Sequence, residues 1–283
     1  MGTVAANQII PAVLQSKVAV LCCVLSAGTL LLYDHLITLA DEVEFIWGSR
    51  WSVVKVVFLL NRYIAFSNFG IAIYHQFGSN LSTSVCSRLF AANAWLIGCG
   101  VCMSEIILGL RTYALWGKSK RVGCALVALS VVTGTVMCAF LVKGASITFA
   151  QFPPIPGISS DPRGCFVTGE GGPTYTVSWS LTLASETIIV VLTLAKALQN
   201  CILAYLLLFA LSVSNLFVVV AAPQEYTNLL SLPQHTLHVV LTSRIVLNIR
   251  RKAVDGALID VSGTELEQTV LELATFSRKG NSG

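Results

Sequence analysis

Charge is what this chain most lacks. Asp, Glu, Lys and Arg make up 11% of its 283 residues, against about 25% in a soluble globular domain, which excludes an ordinary cytosolic enzyme. The net charge of +4 comes without a dense basic patch, so no nucleic-acid partner is expected. No internal repeat is visible, which disfavours transporter folds assembled from two related halves. There is no phosphate-binding glycine loop, no Gly-x-Ser-x-Gly elbow and no clustered Cys/His signature. No enzyme activity, cofactor or metal is therefore expected. What the chain has instead is apolar surface: 55% of its residues are hydrophobic and the mean hydropathy is +0.76. One aqueous core cannot hide that much, and membrane lipid is the expected partner that covers the rest.

A hydrocarbon layer needs about 20 apolar residues per helix. Seven windows meet that requirement, at about Ala12–Tyr33, Ser52–Tyr74, Leu89–Leu110, Val122–Val142, Tyr175–Ala195, Asn200–Ala222 and Tyr226–Leu247. The expected fold is therefore all-α, a polytopic membrane protein of seven transmembrane helices. Seven of the eight prolines fall outside these windows, as the cost of proline inside a helix requires. Pro233 alone falls inside, where a kink is expected.

Basic residues set the orientation. With the N-terminus outside, the inner side receives Arg50, Lys55, Arg111, Lys118, Lys120, Arg121, Lys196, Arg250, Arg251 and Lys252, and the outer side only Lys17, Arg88, Lys143 and Arg163. The positive-inside rule then places the N-terminus outside and the C-terminus in the cytosol. Asn80-Leu81-Ser82 is the only glycosylation sequon and lands in an outer connection. The chain divides into a short outer N-terminus (1–11), a seven-helix membrane domain (12–252) and a polar cytosolic tail (253–283), in which Thr264 and Glu267 suggest a capping box. No basic residue precedes Lys17 and no cleavage motif follows, so no cleaved signal peptide is expected. Asp34–Trp47 is expected to lie along the inner interface, with Leu36, Leu39, Val43 and Ile46 on its apolar face and Asp34, Asp41 and Glu42 on its polar one.

Few residues could carry chemistry. Cys86 and Cys165 both fall on the oxidising side, and we expect them to be joined. Closing that loop of about 78 residues would stabilise by roughly 4 to 5 kcal/mol in the chain-entropy treatment. The other seven cysteines lie in or beside apolar runs and read as packing residues. Arg62, Glu105 and Glu186 are charges within spans, each needing a partner or a wet cavity. By helix rise Arg62 lies roughly 15 Å and Glu105 roughly 8 Å from the inner ends of their spans. Their side chains lean toward one another, so an Arg62–Glu105 ion pair is expected, with Glu186 left to line an internal polar site. His235 and His238, three apart on span seven, could share a helix face, but a third metal ligand is hard to find. They read as hydrogen-bonded histidines of the bundle. Span seven has no lysine for a retinal Schiff base.

One stretch is familiar. Tyr33-Asp34-His35-Leu36, Asp41-Glu42-Val43-Glu44, Ile46-Trp47, Trp51-Ser52 and Asn61-Arg62-Tyr63 resemble the signature domain, about residues 20–65, of a large basidiomycete fungal family of multi-pass membrane proteins of unknown function. Leu110-Arg111-Thr112-Tyr113-Ala114-Leu115-Trp116, Cys165 and Leu241-Thr242-Ser243-Arg244 extend the similarity. The resemblance implies seven spans, a fungal origin and an inner-face motif of Asp34, Glu42, Trp47, Arg111 and Tyr113. It implies no activity. The family carries a longer polar loop between spans five and six, where this chain has only about Lys196–Asn200.

Two functions from different classes fit. An outside N-terminus, a disulfide from the third helix to the next outer loop and basic inner connections resemble the plan of G-protein-coupled receptors. This reading makes the chain a plasma-membrane, receptor-like sensor with an extracellular ligand and a cytosolic signalling partner. Leu110 stands before Arg111-Thr112-Tyr113 where the receptor pattern has an acid, and no Asn-Pro-x-x-Tyr closes span seven. The alternative is a solute or proton transporter or channel using Arg62, Glu105 and Glu186.

Overall fold

The computed structural model describes residues 2–79, 81–143, 149–150, 164–167, 172–195, 202–222, 226, 229–252 and 254. Among these the chain forms seven helices: α1 Gly2–Glu42, α2 Val53–Phe77, α3 Thr83–Leu115, α4 Lys120–Lys143, α5 Gly172–Leu194, α6 Ile202–Ala221 and α7 over residues 231–252. Two-residue strands, β1 Phe149–Ala150 and β2 Phe166–Val167, pair antiparallel between α4 and α5.

Five stretches are long and apolar enough to cross a membrane: Gln15–Trp47, Val53–Phe77, Thr83–Leu115, Lys120–Val142 and Thr176–Leu194. Tyr205–Ala221 of α6 is apolar but shorter. Helix α7 is not among them, because Gln234, His235, His238, Thr242 and Ser243 dilute its apolar content. Those five side chains are all buried. The helix that looks least like a membrane span is thus the one that other helices cover.

Burial runs opposite to that of a soluble protein. Leu36 is 69% and Phe217 71% exposed, whereas Asn61, Gln234, His235 and His238 are 0% exposed. A large outward apolar surface around a polar interior is stable only where the surroundings are themselves apolar. This is the pattern of a helical membrane protein.

Three corrections to the expected elements follow. The first span does not stop at Tyr33: α1 runs from Gly2, through the segment assigned to an outer N-terminus, and on to Glu42, then winds as a π-helical turn over Val43–Trp47. No proline or glycine interrupts the chain between Gly28 and Gly48, so nothing ends the helix sooner. The faces of Asp34–Trp47 are also inverted. Asp34 and Glu42 are buried while Leu36, Leu39 and Val43 are exposed; of the apolar set only Ile46 is buried. Pro233, in turn, makes no mid-helix kink. It sits in the first turn of α7, where a missing N–H costs nothing.

Contacts divide the chain into two compact units, residues 1–37 with 51–243, and residues 38–50 with 244–283. In the first, α2 starts at Ser52, whose hydroxyl accepts from the Lys55 amide at 3.3 Å, and α3 starts at Ser82, which accepts from Val85 at 3.4 Å. Such caps satisfy amides that a helix start leaves unpaired. Val24 and Ala27 of α1, Ala72 of α2 and Leu232 of α7 form one apolar cluster. Leu31, Ala65 and Val239 form a second on the same three helices. Ile97 and Val101 of α3 pack with Trp179 of α5 and, on α6, Leu216 and Val219. Gly28 lets α1 approach α2, since a Cβ there would fall on the Phe69 ring.

In the second unit Trp47 Nε1 donates to the Glu42 carboxylate at 3.1 Å. Arg250 Nη1 donates to the Phe45 carbonyl at 2.7 Å and to Ser49 Oγ at 2.6 Å, and Arg251 pairs with Asp41. Thr264, Glu267 and the expected tail helix lie outside the described residues, as do Asn80 and the connection over 196–200.

Candidate functional site

Small polar residues placed one per turn or two along otherwise apolar helices must find partners inside the bundle, because lipid offers none. In the first unit they converge on α7. Gln234 Nε2 donates to Ser212 Oγ of α6, and Asn215 Nδ2 of α6 donates to Gln234 Oε1, both at 2.6 Å. One residue on, Asn68 Nδ2 of α2 donates to Nδ1 of His235 at 3.0 Å. The His235 ring lies on the backbone of α3, where Gly100 leaves the only space it could have: a Cβ there would collide with Nε2. Deeper along α7, Ser104 Oγ of α3 donates to Asn61 Oδ1 at 3.2 Å, Asn61 Nδ2 of α2 donates to Thr242 Oγ1 at 3.2 Å, and Thr242 donates to the His238 carbonyl at 2.5 Å.

The ionisable members occupy the same interior. His238 Nε2 stands 2.8 Å from Glu186 Oε1 of α5, an ion-pair distance without the alignment of a formed hydrogen bond. Glu186 Oε2 and His238 Nδ1 have no hydrogen-bond partner among the described residues. Glu105 Oε1 of α3 is 2.5 Å from Ser185 Oγ of α5, close enough to Glu186 and His238 for their charges to act on it.

The expected Arg62–Glu105 pair is therefore not formed. Arg62 Nε donates to His35 Nδ1 of α1 at 2.8 Å, and its guanidinium lies over the Phe58 ring. Residue count along each helix gives depth, but the faces differ: Arg62 looks toward α1 and Glu105 toward α5. His235 and His238 also part company, one meeting Asn68 of α2 and the other Glu186 of α5. Among the described residues no set of three or more His, Cys, Asp or Glu is placed to hold a metal.

The end of the bundle where α2 stops is strapped. Cys86 of α3 is bonded to Cys165, and the Gly164 and Cys165 amides donate to the Gly78 and His75 carbonyls at 2.8 and 3.0 Å. These bonds satisfy carbonyls that the end of α2 would otherwise leave open. Gly164 sits at φ +78°, and a Cβ there would fall 2.2 Å from the Gln76 carbonyl oxygen, a position that only glycine fits. At the opposite end Thr112 Oγ1 and Thr193 Oγ1 are 2.9 Å apart, and Trp116 Nε1 donates to the Leu192 carbonyl at 3.0 Å. There Arg111 lies over the Tyr205 ring, 5.7 Å from its centroid. Tyr113 lies against Gly123 of α4. Of the remaining inner-face residues, Asp34 is buried in the first unit, while in the second Trp47 is exposed and bonded to buried Glu42.

Asn68, Ser104, Ser185, Ser212, Asn215 and Gln234 were not singled out from the sequence, and Asn61 and Thr242 stand there only within the motifs that carry the resemblance. Their signal was present as neutral polar side chains inside apolar runs, but such residues also bond harmlessly to their own helix, as Ser26, Thr29 and Ser180 do.

Residues 22–67 match the model of a family of unknown function, DUF6533. That stretch covers the facing parts of α1 and α2 and contains the His35–Arg62 contact. No curated protein matches the chain.

Proposed function

We propose that the chain crosses the plasma membrane seven times, N-terminus outside and C-terminus in the cytosol, and acts as a receptor-like sensor. The observation that carries this reading is the unequal restraint of the bundle. One end is strapped by Cys86–Cys165, while α3, α5, α6 and α7 meet in the interior through non-covalent polar contacts, whose exchange for one another would carry a signal. A ligand held at the strapped end and a signalling partner at the other would communicate through such exchange. Basic residues at the expected cytosolic ends of the spans support the orientation.

Epitope tags on both termini of the full chain in intact cells test the topology: only the N-terminal tag should be reached from outside, and tags on one side refute it. The sequon at Asn80 should carry a glycan that endoglycosidase removes and Asn80→Gln abolishes. Ligand-dependent recruitment of a G protein to the cytosolic face tests signalling. The burial of Glu105, Glu186 and His238 together favours a second reading, a proton or solute transporter. Flux into vesicles containing the purified chain, without any recruitment, would select it.

A further inference from the structure

Helices α3, α5 and α7 bury more acid than base. Glu105 is 6% exposed, Glu186 3% and His238 0%. The other titratable groups around them are Cys102 and Cys99 of α3, Cys138 of α4 and His235 of α7. None of these supplies a ready positive charge: His235 accepts at Nδ1 from Asn68, and the thiols are neutral or negative. Arg62 of α2 is engaged with His35 of α1, and α6 meets α7 through the neutral Ser212 and Asn215, its buried Tyr205 lying by Arg111. With both carboxylates ionised and His238 protonated the group would keep a net negative charge in a buried interior, a costly arrangement. It is neutral only when two protons are spread over the three side chains.

Hydrogen bonding offers one of them a place on Glu105. Ser185 Oγ is 2.9 Å from the Thr182 carbonyl as well as 2.5 Å from Glu105 Oε1. A carbonyl oxygen can only accept, and a serine hydroxyl has a single hydrogen. When that hydrogen goes to Thr182, the short contact to Glu105 must be made by a proton on the carboxyl, donated to Ser185. The second proton belongs to the Glu186–His238 contact, where Oε1 and Nε2 are 2.8 Å apart.

We propose that Glu105, Glu186 and His238 form a proton-binding site holding two protons at neutral pH, one of them on Glu105 and hydrogen-bonded to Ser185. Loss of one proton leaves one negative charge among α3, α5 and α7, so the arrangement of these helices is coupled to protonation. The site serves a sensor or a transporter equally and stands apart from the choice between them.

Infrared spectroscopy of the full chain in lipid vesicles tests it. At neutral pH the wild type should show the C=O band of a protonated carboxylic acid, lost in Glu105→Gln. In Ser185→Ala, which keeps the carboxyl and removes its partner, the band should remain and shift. His238→Gln should show two acid bands, because neutrality then requires protons on both carboxyls. A wild type with no acid band overturns the proposal without recourse to any variant. A band unchanged in both Glu105→Gln and Ser185→Ala overturns the assignment to Glu105, and if Glu105→Gln does not fold, an unshifted band in Ser185→Ala does so alone. A single band in His238→Gln overturns the two-proton count. Purely structural carboxylates would be ionised and give none of these signals.

Discussion

Replacing Gly100 by alanine should destabilise the bundle, whereas the same change at Gly109, nine residues along α3, should not. A Cβ at position 100 would occupy the space of the His235 ring. That ring is wholly buried and held by Asn68 at 3.0 Å, so it cannot swing aside without breaking the bond. Overpacking of this kind costs about 1–3 kcal/mol. Losing the buried hydrogen bond adds about 1 kcal/mol. The expected loss is thus about 2–4 kcal/mol. At Gly109 nothing lies within 4 Å of the added carbon, and alanine should leave stability unchanged or raise it by up to about 1 kcal/mol through helix propensity. Denaturation of the purified chain in mixed micelles, followed by tryptophan fluorescence, measures both. Combining Gly100→Ala with His235→Ala removes the obstacle, so the cost of the alanine should fall by more than half in that background. Equal effects at positions 100 and 109, or an undiminished cost in the His235→Ala background, would refute the packing of α7 on α3.

Reduction of the disulfide, or Cys165→Ser, should lower the melting temperature while Cys22→Ser does not. The separation of 79 residues corresponds to about 4.5 kcal/mol at most, less if α3 and α4 remain helical in the denatured state. Gln234→Leu leaves Ser212 and Asn215 facing an apolar side chain and should cost about 1–3 kcal/mol, whereas changing all three to apolar residues of similar volume should recover much of it, as read by the same denaturation curves. Arg250→Ala, which removes two bonds to Phe45 and Ser49, should destabilise by about 1.5–3 kcal/mol. Arg251→Ala breaks a half-exposed pair and a long contact with the Phe45 ring and should cost less than about 1 kcal/mol, less still at high salt.

Class and composition were legible along the chain. Long apolar runs with few charges require helices in lipid, since no other element satisfies its backbone there, and the two cysteines outside the central spans are the two that meet. The absence of proline and glycine across Asp34–Trp47 is equally visible, and a segment lying along the membrane interface would turn its polar side out. In lipid that orientation reverses, and Asp34 and Glu42 turn inward. Low hydropathy in α7 marked not a weaker helix but the one other helices surround.

Pairing was not legible. Counting residues along a helix gives the depth of a side chain, so Arg62 and Glu105 could be placed at compatible levels. Which neighbour each faces depends on how the helices are rotated and ordered around one another, and that is decided by contacts between residues far apart in the chain: Leu31 and Ala65 with Val239, or Ile97 with Trp179. Those apolar contacts turn Arg62 to His35, Glu105 to Ser185 and Glu186 to His238. The solvent each helix needs is written in its own residues; the partner of each buried polar group is set by packing alone.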